Sequence, residues 1–177
     1  PSIHNYNLLN SNVQLNNVQD KINLYNYALG DKNEEKTIGF KGAMTYITKN
    51  KKLNLQKTVI KKLDNIIDYG HLIKLDVEGY EENVLKGAKE VLKNPKTNAL
   101  IIELAGYNRY GSSNEKVHNL LIQNKYFPIK YFPNKRVFSK LKTYRNDQYN
   151  TIYIRDAQFV KNRLIHSPKY KIGEKWI

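Results

Sequence analysis

The chain has 177 residues, a formal net charge of +14 and an apolar fraction of 40%, enough for one domain with a buried core. It contains no Cys, which excludes disulfide scaffolds, thiolate zinc sites and thiol nucleophiles. No apolar run approaches the roughly 18 residues that a membrane span requires, and the N-terminus is not a secretory signal. No membrane span is expected, and the location expected is cytoplasmic.

The positive charge is carried by 25 Lys against 5 Arg. Lys, Asn, Ile and Tyr together make up 79 of the 177 residues, and all four have AT-rich codons. Arg is the residue suited to bidentate recognition of phosphate and guanine. Its scarcity argues for coding bias as the source of the charge and against a nucleic-acid partner.

In chain order, residues 2–16 place Ile3, Tyr6, Leu9 and Val13 on one helical stripe, with Ser2 as the cap. Residues 22–29 alternate as a strand, turned by Gly30-Asp31. Residues 37–40 and 44–48 are short strands about Gly42, residues 49–57 read as a polar loop, and residues 59–67 fit more than one element. A βα unit follows, with a strand over 71–77 and a helix from Gly79 to about Lys93, stopped by Asn94-Pro95. Glu81 and Glu82 in its first turn suit the helix dipole. Residues 99–104 form an apolar run typical of a strand covered on both faces. A helix over 114–124 and strands over 127–132 and 150–155 complete the pattern, the last two joined by a polar connection. The division expected is a domain over 1–155 and a basic, loosely attached tail over 156–177. Strands alternating with helices predict an α/β fold with mostly parallel central strands.

The densest chemistry lies in Lys74-Leu75-Asp76-Val77-Glu78-Gly79-Tyr80-Glu81. In open α/β sheets ligands bind at the carboxyl ends of the strands. Asp76 and Glu78 fall at that end of one strand and Glu103 at that end of the next. Lys74, in mid-strand, requires a carboxylate partner, and Asp76, on the same face, and Glu103 are the candidates. On spacing alone this cluster is equally a structural ion pair or a functional site. The four His are scattered without chelating spacing, and no metal site is expected.

The same eight residues, with Val84-Leu85-Lys86-Gly87-Ala88, Ile101-Ile102-Glu103, Ala28-Leu29-Gly30-Asp31 and Leu63-Asp64, resemble the FkbM-type methyltransferases. Tyr126 fits as well, although Lys125 stands where that family usually has Gly. The resemblance implies a Rossmann-like class I methyltransferase sheet, mostly parallel with a C-terminal antiparallel strand, and an S-adenosylmethionine-dependent O-methyltransferase. The acceptor implied is a hydroxyl of a saccharide, glycolipid or similar metabolite. Asp76, Lys74 and Glu103 would be catalytic, with either acid as the base. Ala28, Leu29 and Asp76 would contact the cofactor, and Glu78, Tyr80 and Tyr107 the acceptor.

The glycine-rich cofactor loop and the ribose-binding acid of that family have no counterpart here. The chain also opens on Pro1, and its only Met is Met44. The expectation is a C-terminal two-thirds lacking the first two βα units. Two other readings stand beside the enzyme. One is a methyltransferase-like remnant or fragment that binds no cofactor; the other is a polyanion-binding protein using the basic tail.

Overall fold

A computed structural model of the chain describes residues 1–41, 44–47, 54–104, 110–145 and 147–176. Helix α1 (Ile3–Leu15) is capped by Ser2, whose Oγ accepts the Asn5 N–H. Its first turn is tied to the neighbouring sheet through Gln56, which accepts the Ile3 N–H and donates to the Pro1 carbonyl. Of the expected apolar stripe only Val13 is buried, while Ile3 and Leu9 are about half exposed.

The first sheet comprises β1 (Ala28–Leu29), β2 (Glu34–Lys41), β3 (Met44–Ile47) and β4 (Asn54–Lys61), in the order β1-β4-β2-β3. β1 runs parallel to β4, while β2 is antiparallel to both β3 and β4. The strand expected over 22–29 shrinks to two residues, since only Ala28 and Leu29 find partners, in Ile60 and Lys61. The polar stretch read as a loop over 49–57 instead supplies the start of β4, because β2 offers it a complete antiparallel edge. The rest of that stretch, residues 49–53, lies outside the described residues.

The second sheet holds β5 (Leu72–Leu75), β6 (Ala99–Glu103), β7 (Phe127–Phe132), β8 (Val137–Lys140) and β9 (Asn150–Ile154), in the order β5-β6-β9-β7-β8. Only β5 and β6 are parallel; β9 is antiparallel to β6 and β7, and β8 to β7. The fold is therefore α/β with mixed sheets, and the mostly parallel arrangement expected from the sequence is corrected. Parallel pairs need a long crossover, and the β5–β6 connection supplies one through α2 (Glu81–Lys86) and α3 (Lys89–Lys93). From β7 to β8 the chain instead reverses through a single 3-10 turn, Pro133–Lys135. Over the residues of β8 the sequence predicts only a polar connection.

The single helix expected from Gly79 to Lys93 is broken at Gly87-Ala88. Asp64 makes the break permanent: its Oδ1 accepts the N–H groups of Glu90 and Val91, both at 3.0 Å, and so caps α3 from another element. Helix α4 (Asn114–Gln123) is capped by Ser113 and buries Val117 and Leu121. Together with Val84, Leu85, Val91, Leu92, Leu100, Ile102 and Tyr153 these residues form the main core. The segment read as a loose tail contains α5 (Ala157–His166) and a small hairpin of β10 (Lys171–Ile172) and β11 (Lys175–Trp176). No helix among the described residues is long and apolar enough to cross a membrane.

Candidate functional site

The parallel register of β5 and β6 pairs Leu75 with Ile102. Continued by one residue, it sets Asp76 beside Glu103 at the carboxyl ends of both strands. Immediately after Asp76 the backbone turns through Glu78 and Gly79, whose φ angles are +55° and +96°. Glycine reaches such angles freely, whereas an L residue does so at a cost. The turn aims Glu78 back toward the strand ends. One carboxylate oxygen from each of Asp76, Glu78 and Glu103 lies within 4.8 Å of the others. Three acids so placed have the geometry to hold a divalent cation, but acidic groups of this kind are common without one, and no metal is assigned to them.

Lys74 Nζ donates to Asp76 Oδ2 at 2.6 Å, which settles its partner. Both side chains are nearly half exposed, because β5 is the edge strand of its sheet; the mid-strand burial expected for Lys74 does not occur. The Lys74 ammonium holds the Asp76 carboxyl below its ordinary range, with a further contribution from a hydrogen bond to Glu103. Glu103 moves the other way, up to about 7, through burial first, then the hydrogen bond to Asp76 and the negative charges of Asp76, Glu78 and Glu81. The two carboxyls therefore titrate as an interacting pair in which the proton favours Glu103. Among the described residues no fixed donor reaches the buried Glu103 Oε2.

Tyr80 extends the site toward the first sheet. Its ring lies edge-on to Tyr110 at 5.2 Å between centroids, and its hydroxyl is 3.5 Å from Lys36 Nζ. A Cβ on Gly30 would stand 3.3 Å from the same ring, so the residue following Leu29 is in contact with Tyr80. Ala28 and Leu29 themselves are half-buried on β1, and Leu29 packs against the main core. The structure therefore gathers Lys74, Asp76, Glu78 and Glu103 into one cluster, with Tyr80 bordering it. Tyr107 lies outside the described residues.

A cleft of about 900 Å³ lies elsewhere, lined by Lys93, Pro95, Asn124, Arg155 and Asp156 among others. Arg155 follows Ile154, which pairs with Ala99 at the opposite end of β6 from Glu103. The cleft contains none of the clustered acids.

A family profile described as the methyltransferase FkbM domain matches residues 1–128. The chain belongs to the FkbM methyltransferase family. Neither the curated proteins nor the solved structures contain a significant match. The matched span includes every acid of the cluster and gives the family's motif residues physical roles in this chain. A Cβ on Gly87 would lie 1.9 Å from the Gly30 carbonyl oxygen, so the two glycines of the motif let α2 rest on the end of β1. Asp64 caps α3. Lys125, where the FkbM pattern usually has Gly, adopts φ +67°, a conformation glycine would take without strain.

Three residues at the site were not singled out for it by sequence reasoning: Lys36 and Tyr110 against Tyr80, and Glu81 beneath the turn. The sequence places Glu81 at the end of the eight-residue block and in a first helical turn, without assigning it a role at the site. A signal for Lys36 or Tyr110 is absent, because both reach the site through tertiary packing from distant segments.

Proposed function

We propose that the chain is an S-adenosylmethionine-dependent O-methyltransferase that methylates a hydroxyl of a saccharide, glycolipid or similar metabolite. The observation that carries this reading is the Asp76–Glu103 pair at the ends of adjacent parallel strands, one acid held low and the other raised to about 7. A class I, Rossmann-like placement of the cofactor at those strand ends is part of the reading.

The donor set suits the cofactor. A cluster of carboxylates complements a positively charged sulfonium, and a buried oxygen on Glu103 that has no fixed donor among the described residues complements a substrate hydroxyl. S-adenosylmethionine, when bound, supplies the electrophilic methyl group. The residues of this chain need only hold the hydroxyl in line and take its proton. Glu103 is the better base, since an acid near 7 is ionised in a useful fraction at neutral pH and still accepts a proton readily. Lys74 keeps Asp76 ionised, so that Asp76 would complement the cofactor's positive charge and takes a hydrogen bond from Glu103 when Glu103 is protonated. Ala28 and Leu29 would line the adenine, while Glu78 and Tyr80, with Tyr107, would contact the acceptor.

The test is a thermal-shift titration of the chain with S-adenosylhomocysteine, followed by transfer of labelled methyl groups to hydroxylated acceptors. A ligand that binds only the folded state stabilises it by about 2.7 kcal/mol at 100 times its dissociation constant. The expected result is a shift for the wild type and for Glu103→Gln, with turnover lower by roughly 10²–10⁴-fold in the variant. The absence of both shift and transfer would sink the proposal in favour of a methyltransferase-like remnant that binds no cofactor.

A further inference from the structure

Glu81 is the most buried acid of the cluster's neighbourhood, only 5% exposed. Its Oε1 accepts the backbone N–H of Val77 at 3.0 Å and that of Gly79 at 3.2 Å. Those two amides flank Glu78, the residue whose φ is +55°. One carboxylate oxygen thus clamps both sides of the turn that carries the chain from Asp76 into α2. Backbone donors at a turn of this kind require an acceptor when water is excluded, and among the described residues no carbonyl accepts from either amide.

We propose that Glu81 is the positioning residue of the carboxylate site: by binding the Val77 and Gly79 amides it fixes the turn, and so holds Asp76 and Glu78 against Glu103. The proposal rests on the reading of that cluster as the reacting centre, but its test does not use turnover. A simpler role, as an acid favourable to the dipole of α2, predicts no effect on the geometry of Glu103. The charged groups that face Glu103 are Asp76, Glu78 and Glu81, with Lys74 paired to Asp76.

The experiment compares the full chain with Glu81→Gln and Glu81→Ala, reading two quantities by NMR: hydrogen exchange at the Val77 and Gly79 amides, and the titration midpoint of the Glu103 carboxyl. Glutamine keeps the accepting Oε1 and loses only the charge; alanine loses both. In Glu81→Ala the two amides should exchange at least about tenfold faster relative to those of β5, and the Glu103 midpoint should fall by about one pH unit or more as the acids separate. In Glu81→Gln the amides should stay protected and the midpoint should fall by less. Unchanged exchange and an unchanged midpoint in a folded Glu81→Ala protein would overturn the proposal. So would equal midpoint shifts in the two variants, which would leave Glu81 a charge effect alone. If Glu81→Ala does not fold, loss of amide protection in Glu81→Gln would refute the clamp on its own.

Discussion

Glu103 carries a charge the folded protein disfavours. Its carboxyl is raised from an ordinary value of 4.5 to about 7, so between those values the folded chain keeps a proton that the unfolded chain has released. Stability from this group therefore falls as pH rises across that window and is level above it. Glu103→Gln removes the cost while keeping a donor toward Asp76. The variant is expected to be more stable than wild type at pH 8, by on the order of 1–2 kcal/mol after allowing for solvent screening, with the gain vanishing near pH 4.5. Urea unfolding of both proteins at several pH values measures this, and a pH-independent difference would contradict it. The spacing of Lys74, Asp76 and Glu103 was readable because strand periodicity and register are local rules. Which of the two acids is raised was not, because it depends on burial and on Glu78 and Glu81 arriving from the following turn and helix.

Among the elements, α2 and α3 show where the pattern reading fails. Val84, Leu85, Ala88, Val91 and Leu92 keep one helical stripe across both, and all are buried, so their periodicity reads as one helix. The interruption comes from outside the stripe: Gly87 sits on the Gly30 carbonyl, its own carbonyl accepts the Asp64 N–H at 3.1 Å, and Asp64 caps the second helix. Gly87→Ala would place a methyl group 1.9 Å from a backbone oxygen, which no rotamer change relieves. A loss of about 1–3 kcal/mol is expected, as for overpacking in a filled core, seen as a lower urea midpoint at unchanged slope. A loss below about 0.5 kcal/mol would mean that β1 and α2 are not held in contact. Strand edges were equally hard to read. Residues 22–27 alternate like a strand yet find no strand partner among the described residues, whereas the polar start of β4 pairs along its whole length with β2. Pairing is a property of the neighbour as much as of the segment.

At the level of the molecule, two mixed sheets that share no strand pairing are joined beside the candidate site. The α/β class was legible because helices and strands alternate, but their directions were not, since hydrophobic period does not distinguish parallel from antiparallel pairing. The joint consists of Gly30 against Gly87, Leu29 and Leu63 against the main core, and Tyr80, whose ring meets Gly30 from the first sheet and Tyr110 beyond the second. The family resemblance implies an acceptor contact for Tyr80, with ordinary packing as the other reading of a tyrosine in so Tyr-rich a chain. If it also joins the sheets, Tyr80→Ala should cost about 1–2 kcal/mol through lost aromatic packing and should speed amide exchange in β2 and β4 as well as in α2. Tyr80→Phe keeps the ring and loses only the 3.5 Å contact with Lys36, so it should stay within about 0.5 kcal/mol of wild type. Exchange accelerated only around α2 would assign the tyrosine to the second sheet and leave the joint to the glycines. With both sheets affected, a residue beside the acids would be coupling the strand ends that form the site to the sheet that carries Ala28 and Leu29.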